Sequence, residues 1–128
     1  MSMYDVLAEI KRLVEDYESA ISSGKTALST GSIELALQFV DSAKNVATRT
    51  QRVLEATKDA LSKYNQDDKL YKYVSAYYRM ALLVSIPYTI MILRHVSVML
   101  DRNGYTDKAK EARDLADSFE NTINTLKF

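Results

Sequence analysis

From Met80 to Leu93 the chain reads MALLVSIPYTIMIL, fourteen residues without a charge, between Arg79 and Arg94. Two apolar rows run through this region at helical spacing. The first is Leu70, Val74, Tyr77, Ala81, Val84, Tyr88, Met91, His95 and Val98. The second is Leu83, Ile86, Ile90, Leu93 and Leu100, with Ser97 in register. Steps of three and four keep each row on one side of a helix, and the two rows fall on nearly opposite sides. A helix packed in a bundle needs one apolar side, facing the core. A helix with two predicts a second buried surface. Fourteen residues rise about 21 Å, against about 30 Å of bilayer hydrocarbon, so the run reads as a core helix and membrane contact is not expected.

The flanking sequence predicts three more helices. The first starts after Ser2, with Asp5 as its capping-box partner, and ends at Gly31. Its apolar seam is Met3, Leu7, Ile10, Val14, Tyr17, Ile21 and Leu28, with Gly24 filling one slot, and Arg12, Asp16, Ser19 and Ser23 lie opposite. Ser32 caps the second helix, and Glu34 suits its positive first turn. Its seam is Ala36, Val40, Ala43, Ala47, Thr50, Leu54, Thr57 and Leu61, flanked by Phe39, Val46, Val53 and Ala60. Asn65 to Asp68 interrupts the pattern and caps the third helix, which Asn103-Gly104 ends. The fourth begins at Thr106 or Asp107 and carries Tyr105, Ala109, Ala112, Ala116, Phe119, Ile123 and Leu126 on its seam. Pro87 sits inside the third helix, where it removes one backbone donor and crowds the preceding turn, so a kink is expected there.

Short connections between long helices favour antiparallel neighbours. The expected fold is all-α: an antiparallel up-down-up-down four-helix bundle with heptad packing, forming one helical-bundle domain over residues 1–128.

Composition narrows the function classes. Seventeen basic and seventeen acidic residues give a net charge of zero, so no global field draws the chain to nucleic acid or anionic lipid. No cysteine is present, which excludes disulfides, thiolate metal sites and a cysteine nucleophile. The start, MSMYDVLAEIKRL, has no basic segment followed by an apolar run, so no signal peptide is expected and a cytoplasmic setting is. The one histidine, His95, falls on an apolar row between Met91 and Val98. The inward-facing Glu-x-x-His pairs of di-iron bundles are missing. Gly24-Lys25-Thr26 lacks the upstream glycine of a phosphate loop. Neither an enzyme, nor a metal, nor an organic cofactor is expected.

Two binding surfaces remain as candidates. Helices one, two and four each have a polar outer side and only the third lacks one. The economical cover for its second side is another copy of the same chain about a twofold axis, giving a homodimer; the alternatives are a different protein, the membrane, or a fold in which the other three helices enclose the third. Tyrosine and methionine are enriched at interfaces. The row with Tyr77, Val84, Tyr88, Met91, His95 and Val98 is therefore expected to meet the partner, and the aliphatic row to fill the core. The expected function is a non-enzymatic interaction or assembly module, a homo-oligomeric scaffold or adaptor. The alternative is a small subunit of a nucleoprotein complex that uses Lys69, Tyr71, Lys72, Tyr73, Tyr78 and Arg79, because basic residues interleaved with aromatics can hold phosphates and stack bases.

The Gly31-to-Ala36 helix opening is similar to one in the helical bundles called HEPN, and the likeness spans a single hairpin. Ribonucleases of that family carry an Arg, four to six residues and then His. Here His95 follows Arg94 directly and Arg79 lies sixteen residues away, so the likeness implies no activity.

Overall fold

The computed structural model describes residues 2–126 and contains four helices: α1 (Met3–Thr30), α2 (Ile33–Lys63), α3 (Lys69–Arg102) and α4 (Thr106–Thr125). No strand occurs among the described residues.

The helix ends follow the local chemistry. The Ser2 hydroxyl accepts from the Asp5 amide at 3.2 Å, and the Asp5 carboxylate accepts from the Ser2 amide, closing the capping box. Gly31, at φ 72°, terminates α1 in the left-handed region that favours glycine. Ser32 caps α2 through the Leu35 amide at 3.2 Å, and Asp68 caps α3 through the Leu70 amide at 2.8 Å. Gly104, at φ 85°, makes the turn into α4, whose N-cap residue, Tyr105, supplies no side-chain cap.

Packing on α2 and α4 follows the expected seams. On α2, Ala36, Val40, Ala43, Thr50, Leu54 and Thr57 are buried together with the flank Phe39, Val46, Val53 and Ala60. On α4, Ala109, Ala112, Ala116, Phe119 and Leu126 are buried, while Tyr105 is exposed. The wider buried face of α1 was not expected. Besides Met3, Ile10, Val14 and Tyr17, the heptad-spaced row Val6, Leu13, Ala20 and Ala27 is also buried, and Leu28 is exposed. The reason is that α1 packs along α2 on one side and along α3 on the other. Gly24 marks the tightest point: a Cβ there would stand 2.6 Å from Ile92 Cγ2 and 2.8 Å from Phe39 Cδ1. The large core runs through all four helices. A separate small cluster of Met3, Val6, Ala60 and Val74 lies where α1 and α3 begin and α2 ends.

The third helix departs from an even repeat. Ala81–Ser85 forms a turn of π-helix, in which the Ile86 amide donates to the Ala81 carbonyl five residues back. Pro87 follows in the first turn of the α-helical stretch beyond it. A widened turn places one extra residue between its two flanks. The buried series is accordingly Val74, Tyr78, Ala81, Ser85, Thr89, Leu93, Val96 and Leu100, with steps of four, three, four, four, four, three and four. Both rows expected from the sequence assumed an unbroken alternation, and both break at this turn. The first row is buried at Val74 and Ala81 and exposed at Val84, Met91, His95 and Val98, with Tyr88 half-buried. The second is buried at Ile86, Ile90, Leu93 and Leu100, but Leu83 is the most exposed large aliphatic side chain among the described residues, at 63 %.

By length and composition α3 is apolar enough to cross a membrane, so the short-span argument, which counted only the uncharged core, does not describe the whole helix. Half of its most apolar window is buried inside the protein.

Candidate interaction surface

The surface is built on the outer side of α3. Met80 (40 %), Leu83, Val84 (56 %), Met91 (48 %) and Val98 (47 %) are exposed, and Pro87 is exposed between them. From Met80 to Val98 this stripe rises about 27 Å at 1.5 Å per residue. The π-turn creates its centre by turning both Leu83 and Val84 outward.

The six expected interface residues do not share one environment. Val84, Met91, His95 and Val98 are exposed. Tyr77 and Tyr88 are half-buried against the core, and Tyr88 lies under Lys25, whose Nζ stands 5.8 Å from the ring centroid. The row therefore reaches the surface only from Val84, inside the π-turn, onward. Leu83, Met80 and Pro87 join it there, and the sequence reading did not assign them to it. The signal that could have found them is Pro87, because a proline inside a helix requires some local adjustment of the preceding turn.

Shallow grooves flank the stripe where α3 meets α1. One, of about 400 Å³, runs between Ile21 and Lys25 of α1 and Met80, Val84 and Tyr88 of α3. Another, of about 710 Å³, lies between Leu28 and the His95, Val98 and Arg102 side chains. On the α4 side, Arg94 turns away from the stripe. Its guanidinium donates to Glu120 at 2.7 Å and Asp117 at 3.1 Å. The bond to Glu120, then that to Asp117, holds the guanidinium above its ordinary pKa. Asp101 is taken by Arg113 of α4 at 2.8 Å.

The basic and aromatic residues near the start of α3 do not form a single patch. Lys69, Lys72, Tyr73 and Arg79 are exposed, and Tyr71 is half-buried against the small cluster. Tyr78 is buried, 2 % exposed, and its hydroxyl donates to the Leu126 carbonyl at 3.4 Å. Burial pushes its phenol pKa up. It has no face to offer a base, which corrects its place in the expected nucleic-acid surface. In the buried series Val74 is followed four residues on by Tyr78, so Tyr78 points into the core, and Tyr77, expected at the partner interface, is half-buried.

Among the described residues no three histidine, aspartate or glutamate side chains cluster as metal ligands would. The densest charged cleft, between α2 and α4, is internally paired. Glu111 lies 3.4 Å from Lys44 and 3.3 Å from Lys108, and Lys110 lies 3.0 Å from Asp114. Partial burial raises the Glu111 carboxyl, and the two lysines outweigh it and leave it below its usual range. These charges lie within ion-pair distance of one another. No protein-family model matches the chain, and neither a curated protein nor a solved structure matches it.

Proposed function

We propose that this chain is a non-enzymatic protein–protein interaction module, a homo-oligomeric helical scaffold or adaptor that forms a homodimer through α3. One observation carries the reading: the uncovered apolar stripe of Met80, Leu83, Val84, Met91 and Val98 on a helix whose opposite side fills the core. Exposed apolar patches beyond a few hundred Å² are uncommon on proteins that work alone.

The scaffold reading includes an antiparallel up-down-up-down bundle. Ion pairs support that order. Glu9 pairs with Arg52 and Asp16 with Arg49, so α1 and α2 run in opposite senses. Arg94 pairs with Asp117 and Glu120, and Asp101 with Arg113, which does the same for α3 and α4. A bend of α3 at Pro87 belongs to the same reading, because Pro87 has no amide proton for the Leu83 carbonyl and a widened turn precedes it. A cytoplasmic setting fits a chain without cysteine.

Sedimentation equilibrium tests the reading. A dimer at micromolar protein concentration supports it, and a monomer at the highest soluble concentration overturns it. A titration with single-stranded RNA checks the nucleoprotein alternative: affinity that falls steeply with salt would favour that function instead.

A further inference from the structure

We propose that the groove between α1 and α3 beside the π-turn binds a small amphipathic carboxylic acid, whose carboxylate is held by Lys25 and the Ser85 hydroxyl. The site goes beyond the interaction module and does not depend on the homodimer. The groove measures about 400 Å³, with Ile21, Met80, Val84 and Tyr88 as its less polar walls. Small-molecule sites span about 300–1,000 Å³ and combine apolar walls with a few convergent polar groups.

The residue that points to a ligand is Ser85. It lines the groove and is only 3 % exposed. Its hydroxyl makes no hydrogen bond among the described residues, and its oxygen is not sealed off from the groove. The other buried hydroxyls of α2 and α3 are satisfied. Thr50, Thr57 and Thr89 each donate to the carbonyl four residues back, at 2.7–2.8 Å, and Ser97 donates to the Arg94 carbonyl at 2.6 Å. The π-turn explains the exception. The carbonyl four residues before Ser85 is that of Ala81, which accepts from the Ile86 amide instead. The same turn deprives the Leu82 carbonyl of both helical donors, because Ile86 serves Ala81 and Pro87 has no amide. Widened turns of this kind recur at functional sites, and a buried polar group without a partner calls for one.

The charges select the ligand. Helices α1 and α3 run in the same sense, since Met3 and Val6 pack with Val74, and Gly24 lies against Ile92. Lys25 therefore stands at the Tyr88 end of the groove, its Nζ 5.8 Å from the ring centroid. Glu18 stands two turns earlier, at the Met80 end. Neither has an ion-pair partner among the described residues. An acid enters with its carboxylate toward Lys25 and Ser85, repelled from Glu18, and lays its apolar body on Ile21, Met80 and Val84.

Octanoate is the probe. Added to the full chain, it should shift the amide signals of Ser22 to Thr26 and of Val84 to Tyr88 saturably in heteronuclear NMR spectra. Ser85→Ala and Lys25→Gln should each weaken it by roughly tenfold, the worth of one charge-assisted hydrogen bond. Ser85→Ala should also raise the thermal midpoint of the free chain, because it removes a buried hydroxyl that has no partner. A lower midpoint would mean that the hydroxyl serves the fold, and overturns the site. Equal octanoate affinity in Ser85→Ala and the parent does the same. Shifts that grow without saturation along Met91 and Val98 mean adsorption on the exposed stripe and also overturn it. Octylammonium binding tighter than octanoate places the head group at Glu18 and overturns the ligand class. The oligomeric state decides none of these outcomes, so the homodimer reading stands or falls separately by sedimentation.

Discussion

The hydroxyl of Tyr17 lies 2.6 Å from that of Thr50 inside the contact between α1 and α2. The Thr50 hydroxyl donates to the Val46 carbonyl at 2.8 Å, so the tyrosine is the donor in the pair. Thr50→Val leaves a buried phenol without an acceptor and should cost about 1–3 kcal/mol, whereas Tyr17→Phe should cost about 1 kcal/mol. The double variant removes both polar groups and should recover much of the loss. Urea unfolding of the four proteins measures the coupling. Strict additivity would mean that the pair contributes nothing as a pair.

The same tyrosine sets an alkaline limit. Burial raises its phenol well above the ordinary value near 10, against smaller opposing effects from Thr50 and Arg49. A raised folded-state pKa favours the neutral form, so the contribution is complete below pH 10 and declines as pH rises beyond it. Thermal midpoints should therefore fall above pH 10, and less steeply in Tyr17→Phe. Parallel slopes in the two proteins would count against Tyr17 as the cause.

Gly24→Ala should destabilise the protein, although alanine is the better helix former by about 1 kcal/mol. The added methyl would meet Ile92 and Phe39 inside 3 Å, and overpacking of this kind typically costs about 1–3 kcal/mol. Pairing it with Ile92→Val, which trims the nearest side chain, should restore part of the loss. A Gly24→Ala protein more stable than the parent would show that α3 shifts freely away from α1.

Val84→Glu places a charge on a side chain more than half exposed. Sedimentation should show dissociation to monomers, with helical circular dichroism and thermal midpoint nearly unchanged. Loss of helicity would instead mean that Val84 supports the core of its own chain.

The π-turn behaves as one inserted residue. Deleting Leu83, together with Pro87→Ala to restore the missing amide, should let α3 continue as plain α-helix with the same buried side chains on both flanks. Cooperative melting should survive. Deleting Ile90 has no wide turn to absorb it and should abolish folding. Equal damage from the two deletions, read by circular dichroism melts, would refute the account.

Much of the architecture was legible because it is written locally. Ser2 with Asp5, Gly31, Asp68 and Gly104 each fix a helix end by their own chemistry. The small and branched residues of α2 repeat evenly enough to give its buried face. Two things escaped. The row Val6, Leu13, Ala20 and Ala27 is spaced by sevens, yet its burial depends on a second neighbour that the α1 sequence does not announce. Along α3 every position from Met80 to Leu93 is uncharged, so polarity cannot mark which side faces in. The choice between Tyr77 and Tyr78, and the outward turn of Leu83, are decided by packing on either side of the π-turn. The exposed apolar stripe thus lies on the helix that the sequence singled out, but only part of its membership was expected.

The small cluster of Met3, Val6, Ala60 and Val74 stands apart from the large core and near the loop that joins α2 to α3. Few apolar neighbours tie that end together, while Gly24 lets three helices close on one another toward the opposite end. Opening should therefore be graded along the rod. Amides at the start of α1 and α3 exchange with solvent through local fraying, and those around Ile92 and Phe39 only through global unfolding. The apolar stripe rises mainly from the slow part, so a partner would meet a surface already held in its final shape and would lose little motional freedom on binding.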